Sequence, residues 1–297
     1  MKQKLINHYR DFFQKANATA DCKEFMLSQG IRYIEENYVY LEDLVKKYFD
    51  SQCDFEMIRK GLNNTSSSVV KSTYTLNAIF LICCSLVCKS QYVYEGFDQN
   101  VFWDTFGDLA VKIEECYKIK GIYGIFVENW FSPFFQIKAF KLGRFQYRIR
   151  NYKYQVPYYL DGKPFILPGD EVISLHIPRG PSLVKAEREI SYQKAKSFFG
   201  QFFGIDVLKL VCTSWLLYSS NIMILPQSSN IIDFMKDWDI FGNIEDGAFS
   251  FCWKIFGMDY TGNPSDLPEK TSLQKSYKQW LLSGGKLGRG IGIKIID

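Results

Sequence analysis

A change of period constrains this chain most. Up to about residue 130 the apolar residues recur at helical spacing; beyond it they alternate in short runs split by Pro and Gly. Leu5, Ile6, Tyr9, Phe12 and Phe13 share one helical face, and Ile31, Ile34, Tyr38, Leu41, Leu44, Val45 and Tyr48 share another. Asp54 predicts the cap of a short helix through Leu62, ended by residues 61–64. Thr65, Ser66, Ser67 and Ser68 read as a loop or cap, and residues 101–117 as one more amphipathic helix. Residues 76–88 are the most apolar run. A membrane span needs about 20 such residues, so this run predicts a buried core helix and no membrane partner.

After the break, residues 140–148 alternate as a strand that residues 152–160 could pair with, and Asp161-Gly162 is a hairpin-type turn. Residues 172–177, 207–217 and 249–255 read as further strands, with a polar helix at 185–203 and helices capped at Ser229 or Asn230 and at Thr271. The expected fold class is α+β: a helical N-terminal domain at 1–128, then an α/β domain at 129–297 with a sheet flanked by helices. A length of 297 residues suits about two domains.

Composition narrows the function. Hydrophobic residues at 47% and charged residues at 23% exclude disorder, collagen and coiled coil. Thirty-six basic against 32 acidic residues, with no basic run, argue against a nucleic-acid partner. The chain has two histidines, and none of its eight cysteines forms a C-x-x-C pair, so no metal site is expected. The polar, helix-patterned residues 1–10 do not read as a secretory leader, which predicts a cytoplasmic protein with reduced thiols. Oligomeric state is not legible.

Three constellations could carry chemistry. The strand 172–177 puts Ser174 and His176 on one face, then runs through Pro178, Arg179, Gly180, Pro181 and Ser182 into a helix. A strand–loop–helix unit offers backbone N–H groups to an anion, Gly180 allows close approach and Arg179 adds charge, which suits a pyrophosphate; a plain connection is the competing reading. The Gly-rich stretch 283–292 resembles a phosphate loop but has its helix before and its strand after, so turn geometry is favoured. Ser214 and Cys212 lie in an apolar strand, where only His176 could serve either as base. Asp237 and Asp239 read as a solvated helix end.

The segments HIPRGPSL (176–183), SYQKAKSFFGQFF (191–203), VCTSWLL (211–217), LPQSSNIIDFMKDW (225–238) and LPEKTSLQKSYKQWLLSGGKLGRGIG (267–292), with FKLGRFQY at 140–147, resemble a bacterial acyltransferase family. Its members have a helical N-acyltransferase N-terminal domain and a GNAT-like C-terminal domain. The resemblance implies a mixed, twisted GNAT sheet and an acyl-CoA co-substrate, with acetyl-CoA as the expected donor. It implies cofactor-binding roles for Arg179, Gly180, Ser182 and Asn230, and a strand splayed from its neighbour to admit the pantetheine arm. His176 is the candidate base and Ser214 a further catalytic candidate. The expected reaction is N-acyl transfer to a small-molecule amine or peptide. Phe234 stands where such enzymes often carry an acid Tyr, and Thr213 where many carry His. These departures keep open an alternative, a non-catalytic small-molecule-binding or regulatory protein on the same scaffold.

Overall fold

The structure, a computed structural model, describes residues 2–65 and 70–297; Ser66 to Ser68 of the expected loop lie outside them. The chain separates into two compact units, Met1–Phe140 and Lys141–Asp297.

The first unit is helical: α1 (Lys2–Lys15), α2 (Ala20–Phe49), α3 (Phe55–Asn64), α4 (Thr73–Tyr94), α5 (Gln99–Phe106), α6 (Asp108–Lys120) and the short α7 (Ser132–Phe135). Asp54 caps α3 as the sequence predicts, accepting the Met57 N–H at 2.9 Å. The apolar run lies inside α4, which has 22 residues, not 13, so length alone does not bar it from a membrane. Packing decides: α1, α2, α3, α5 and α6 surround it, and residues from Thr75 to Ser85 are buried. The helix expected at 101–117 is two helices. They break at Gly107, where a Cβ would lie 2.9 Å from the Trp103 carbonyl oxygen. The unit ends later than the 128/129 boundary read from sequence. The chain past 128 still feeds this core: Phe135 stacks on Phe106 and meets Tyr48 edge-on. Exchange of helical for strand period marks where strands begin, not where packing ends.

The second unit holds β1 (Ala139–Leu142), within which the division falls, then β2 (Phe145–Asn151), β3 (Tyr158–Leu160), β4 (Lys163–Ile166), β5 (Glu171–His176), α8 (Lys185–Phe203), β6 (Leu208–Ser214), α9 (Asn221–Ile224), α10 (Asn230–Met235), β7 (Asp239–Glu245), α11 (Cys252–Phe256), α12 (Ser272–Leu282) and β8 (Gly288–Ile296). Six strands form a mixed sheet in the order β1-β2-β5-β6-β8-β7. The β5–β6 pair is parallel; β2–β5, β6–β8 and β7–β8 are antiparallel.

Two expectations are corrected here. The 140–148 strand turns at Gly143 (φ 72°) into β1 and β2, and β2 pairs with β5 rather than with residues 152–160. Instead β3 pairs with β4 across Asp161 and Gly162, both at positive φ. Residues 249–255 are not a strand: Phe249 is left-handed and Cys252, Ile255 and Phe256 bury one face of α11. The remaining strand is β7, which closes the sheet edge beside β8. Thr271 and Gln274 form a reciprocal capping box that starts α12 at the expected place.

Candidate active site

The β5–β6 pair holds only at Ile173–Leu210 and Ser174–Val211. Both strands continue, β5 to His176 and β6 to Ser214. Their outer edges are taken by β2 and β8, so past Ser174 and Val211 the inner edges part with their N–H and C=O groups unclaimed by the ladder. Such a notch accepts an extended, amide-bearing chain as an added strand.

The β5 strand leads into the predicted loop, and α8 starts at Lys185, as its sequence pattern indicates. Arg179, Gly180 and Ser182 are exposed. Asn230, at the start of α10, donates its Nδ2 to Ser182 Oγ at 2.5 Å, so the structure brings these two candidates together. Below the loop lies a residue not singled out from sequence, Arg144. Its Nη1 donates to the Pro178 carbonyl at 2.9 Å, and its buried Nε has no protein partner. Burial pulls its proton affinity down, and Glu187 partly restores it. Gly180 lies over this buried guanidinium: a Cβ there would sit in ordinary contact with it, 3.7 Å from Nη1. Two arginines and the free N–H groups of a long helix's first turn therefore converge on the loop. Pro181 withholds one further donor.

Register sorts the remaining candidates. Gln146 lies opposite His176, Arg148 opposite Ser174 and Arg150 opposite Val172, so these share one sheet face. Val211 and Thr213 continue that face on β6, and Ile293 and Ile291 on β8. The opposite face is covered by α8, where Tyr147 meets Phe199 and bonds Ser191 Oγ at 3.0 Å. His176 is half-buried on the face of Thr213, whose hydroxyl bonds Tyr154. Ser214, one residue on, turns to the other face, and its Oγ accepts the Leu216 N–H at 3.2 Å. The structure thus does not bring Ser214 and His176 together. Gln146 was also missed: it is 2% exposed, with neither amide atom hydrogen-bonded in the protein. Neither signal could be read locally, because both depend on which strand lies beside β2.

Two other readings change. Asp237 is no solvated helix end; it pairs with fully buried Arg188 at 2.8 Å and accepts the Tyr192 hydroxyl at 3.0 Å. Asp239 accepts the Tyr158 hydroxyl at 2.8 Å; burial, then Asp239, push that phenol up to about 12. Phe234 is a core ring packed on Phe145 and Trp238, which explains its missing hydroxyl. The Gly-rich stretch is a packing device: a Cβ at Gly290 would lie 1.9 Å from the Leu217 carbonyl oxygen. Burial raises the Cys212 thiol far above its ordinary range, which removes it as a nucleophile.

A mixed sheet with a parted parallel pair feeding an anion-binding helix start defines the second unit as a GNAT-like domain. Residues 139–294 match the family described as the GNAT-like C-terminal domain, and residues 31–137 match the N-acyltransferase N-terminal domain. The chain belongs to this acyltransferase family. Sequence comparison with curated proteins gives no match. The fold is similar to an acyltransferase in complex with decanoyl-CoA and teicoplanin, with a TM-score of 0.74 at 17% identity over 97% of this chain and 88% of that one. An acyltransferase mutant in complex with octanoyl-CoA gives 0.73 at 16% over 98% and 88%. An acyltransferase in complex with decanoyl-CoA gives 0.73 at 19% over 96% and 86%.

Proposed function

We propose that the chain is an acyl-CoA-dependent N-acyltransferase working in the cytoplasm on a small-molecule amine or peptide. The observation that carries this reading is the parting of β5 and β6 directly upstream of the loop under Arg179 and over Arg144. The pyrophosphate would rest on Arg179, Gly180, Ser182 and the first turn of α8, with Asn230 fixing Ser182. The pantetheine amides would bond the unclaimed strand edges, and a backbone N–H there would polarise the thioester carbonyl. The amine nitrogen attacks the carbonyl carbon. A C–N bond forms, the C–S bond breaks, CoA leaves as thiolate, and His176 takes the ammonium proton. The bound molecules of the similar structures, CoA esters and teicoplanin, support an acyl-CoA donor and a small-molecule or peptide acceptor. The decanoyl and octanoyl chains bound there support testing medium-chain donors beside the expected acetyl-CoA. The alternative, a binding module without turnover, is favoured by the donor that Pro181 withholds.

The deciding experiment measures CoA-thiol release across acetyl- to decanoyl-CoA with a panel of amines, beside calorimetry with CoA. Arg179→Ala should weaken CoA by about 1–3 kcal/mol, the scale of charge-assisted hydrogen bonds. His176→Ala should lower kcat by about a hundredfold or more while leaving CoA affinity intact. No CoA binding by the wild type removes the reading; binding without release for any pair leaves the module alternative.

A further inference from the structure

A shallow depression on the Ser174–Thr213 face, about 10 Å³ in volume, is rimmed by cations. Arg150 and Lys153 line it together with Tyr154, Ser174 and Thr213. Register sets Arg148 on the same face, opposite Ser174, and Arg289 two positions before Ile291, which lies opposite Thr213. On β2, β5, β6 and β8 the one acid is Glu171, which alternation turns to the opposite face; Asp239 of β7, opposite Ile293, shares the cationic face but is engaged by the Tyr158 hydroxyl. Among the described residues, no ion pair holds Arg150, Lys153 or Arg289; the Lys153 ammonium lies 5.4 Å from the Tyr154 ring centre. Burial, then Arg150 and Arg289, hold Lys153 below its ordinary range, so these cations sense one another. Like charges gathered around one depression without an ion-pair partner repel, and an anion placed among them relieves it.

We propose that the cations rimming this depression hold an anionic group of the acceptor, so that the substrate is an amine that also carries a carboxylate, such as an amino acid or a short peptide. The inference rests on the N-acyltransferase reading for the position of the amine. The CoA phosphates are assigned to the loop beyond His176, whereas Arg150 stands opposite Val172, six residues earlier than Pro178. At about 3.3 Å per residue, that is roughly 20 Å along the strand. The notch lies between them, beside Thr213, which register sets level with His176, whereas Arg289 stands level with the loop. An acceptor anchored at Arg150, with Lys153 beside it, therefore presents its amine to the thioester from the side away from the phosphates. Tyr154 and Thr213, bonded to each other, form the floor of this approach.

The test is calorimetry of N-acetyl amino acids, as the product class, against their carboxamides. It uses the wild type, Arg150→Gln, and Lys153→Gln, whose side chain is exposed and whose loss should leave folding intact. The acids should bind, the amides at least about tenfold more weakly, and each variant should lose about tenfold or more for the acids only. CoA and 3′-dephospho-CoA serve as the second arm. If the variants erase a preference for CoA over its dephospho form, the cations hold the cofactor's phosphate and the proposal is wrong. No binding of any acid, or equal binding of acids and amides, also overturns it. Because these are binding measurements, acid binding without any acyl transfer would sink the enzymatic reading and leave the anion site standing.

Discussion

Arg188 Nε lies 2.8 Å from Asp237 Oδ2, and the arginine is wholly buried. Its Nη2 reaches Asp233 Oδ2 at 2.9 Å, and its Nη1 donates to the Leu183 carbonyl at 2.6 Å. One side chain thus ties the first turn of α8, the helix α10 and the end of the anion loop together. Burial alone would lower its proton affinity; the hydrogen bonds to Asp237 and Asp233 reverse that and raise it. Arg188→Met strands Asp237 beside Tyr192 and should cost about 3–5 kcal/mol, the scale for breaking a buried pair from one side. CoA affinity should fall with it, because Leu183 loses its anchor. Urea unfolding and CoA calorimetry read both; a variant as stable as the wild type contradicts this role.

Gln146 predicts an opposite sign for stability and activity. A buried amide with no partner costs about 1–3 kcal/mol, and Leu has nearly its volume without its polar atoms. Gln146→Leu should therefore raise the unfolding midpoint while lowering acyl transfer, if the amide waits for a ligand group beside His176. A lower midpoint in thermal unfolding would show that the amide is satisfied in solution.

His8 provides a pH signature of the first unit. Burial, then the Lys89 charge, lowers its pKa from 6.5 to about 4, and its Nε2 shares a 2.8 Å hydrogen bond with Ser85 Oγ. An unfolded histidine binds a proton at higher pH than this buried one, so the contribution of neutral His8 is full above about pH 6.5 and is lost as pH falls toward 4. Between pH 7.5 and 4.5 the wild type should lose about 2 kcal/mol more than His8→Gln, whose amide can keep the Ser85 bond without titrating. Parallel losses in the two proteins would mean that His8 charges freely in the fold.

Gly290→Ala tests the tail. Its Cβ would strike the Leu217 carbonyl, a backbone atom that cannot rotate away. Overpacking of this kind costs about 1–3 kcal/mol or more. Gly284→Ala, with open space around its Cβ, should lose only what its φ of 82° imposes. A phosphate-loop role would instead leave Gly290→Ala stable and poor in CoA binding.

Local chemistry carried much of this structure. Caps at Asp54, Ser229 and Thr271, the Asp161-Gly162 turn and the bounds of α8 follow from residues that touch their own neighbours in sequence. The same is true of the loop from Arg179 to Ser182, since a strand, a glycine and a helix start are adjacent in the chain. Strand partners were not legible. Alternation shows that β2 has two faces, but not that β5 lies beside it, and this pairing puts Gln146 by His176 and Arg148 by Ser174. Nor could spacing show that β5 and β6 part after Ser174, or that Arg188 finds Asp237 across 49 positions of sequence. The sequence by itself determined which segments could be helices, strands and an anion loop, because those preferences are short-range. Only tertiary structure decided which polar groups meet: burial must be shared between distant segments, and one residue of register exchanges the two faces of a strand.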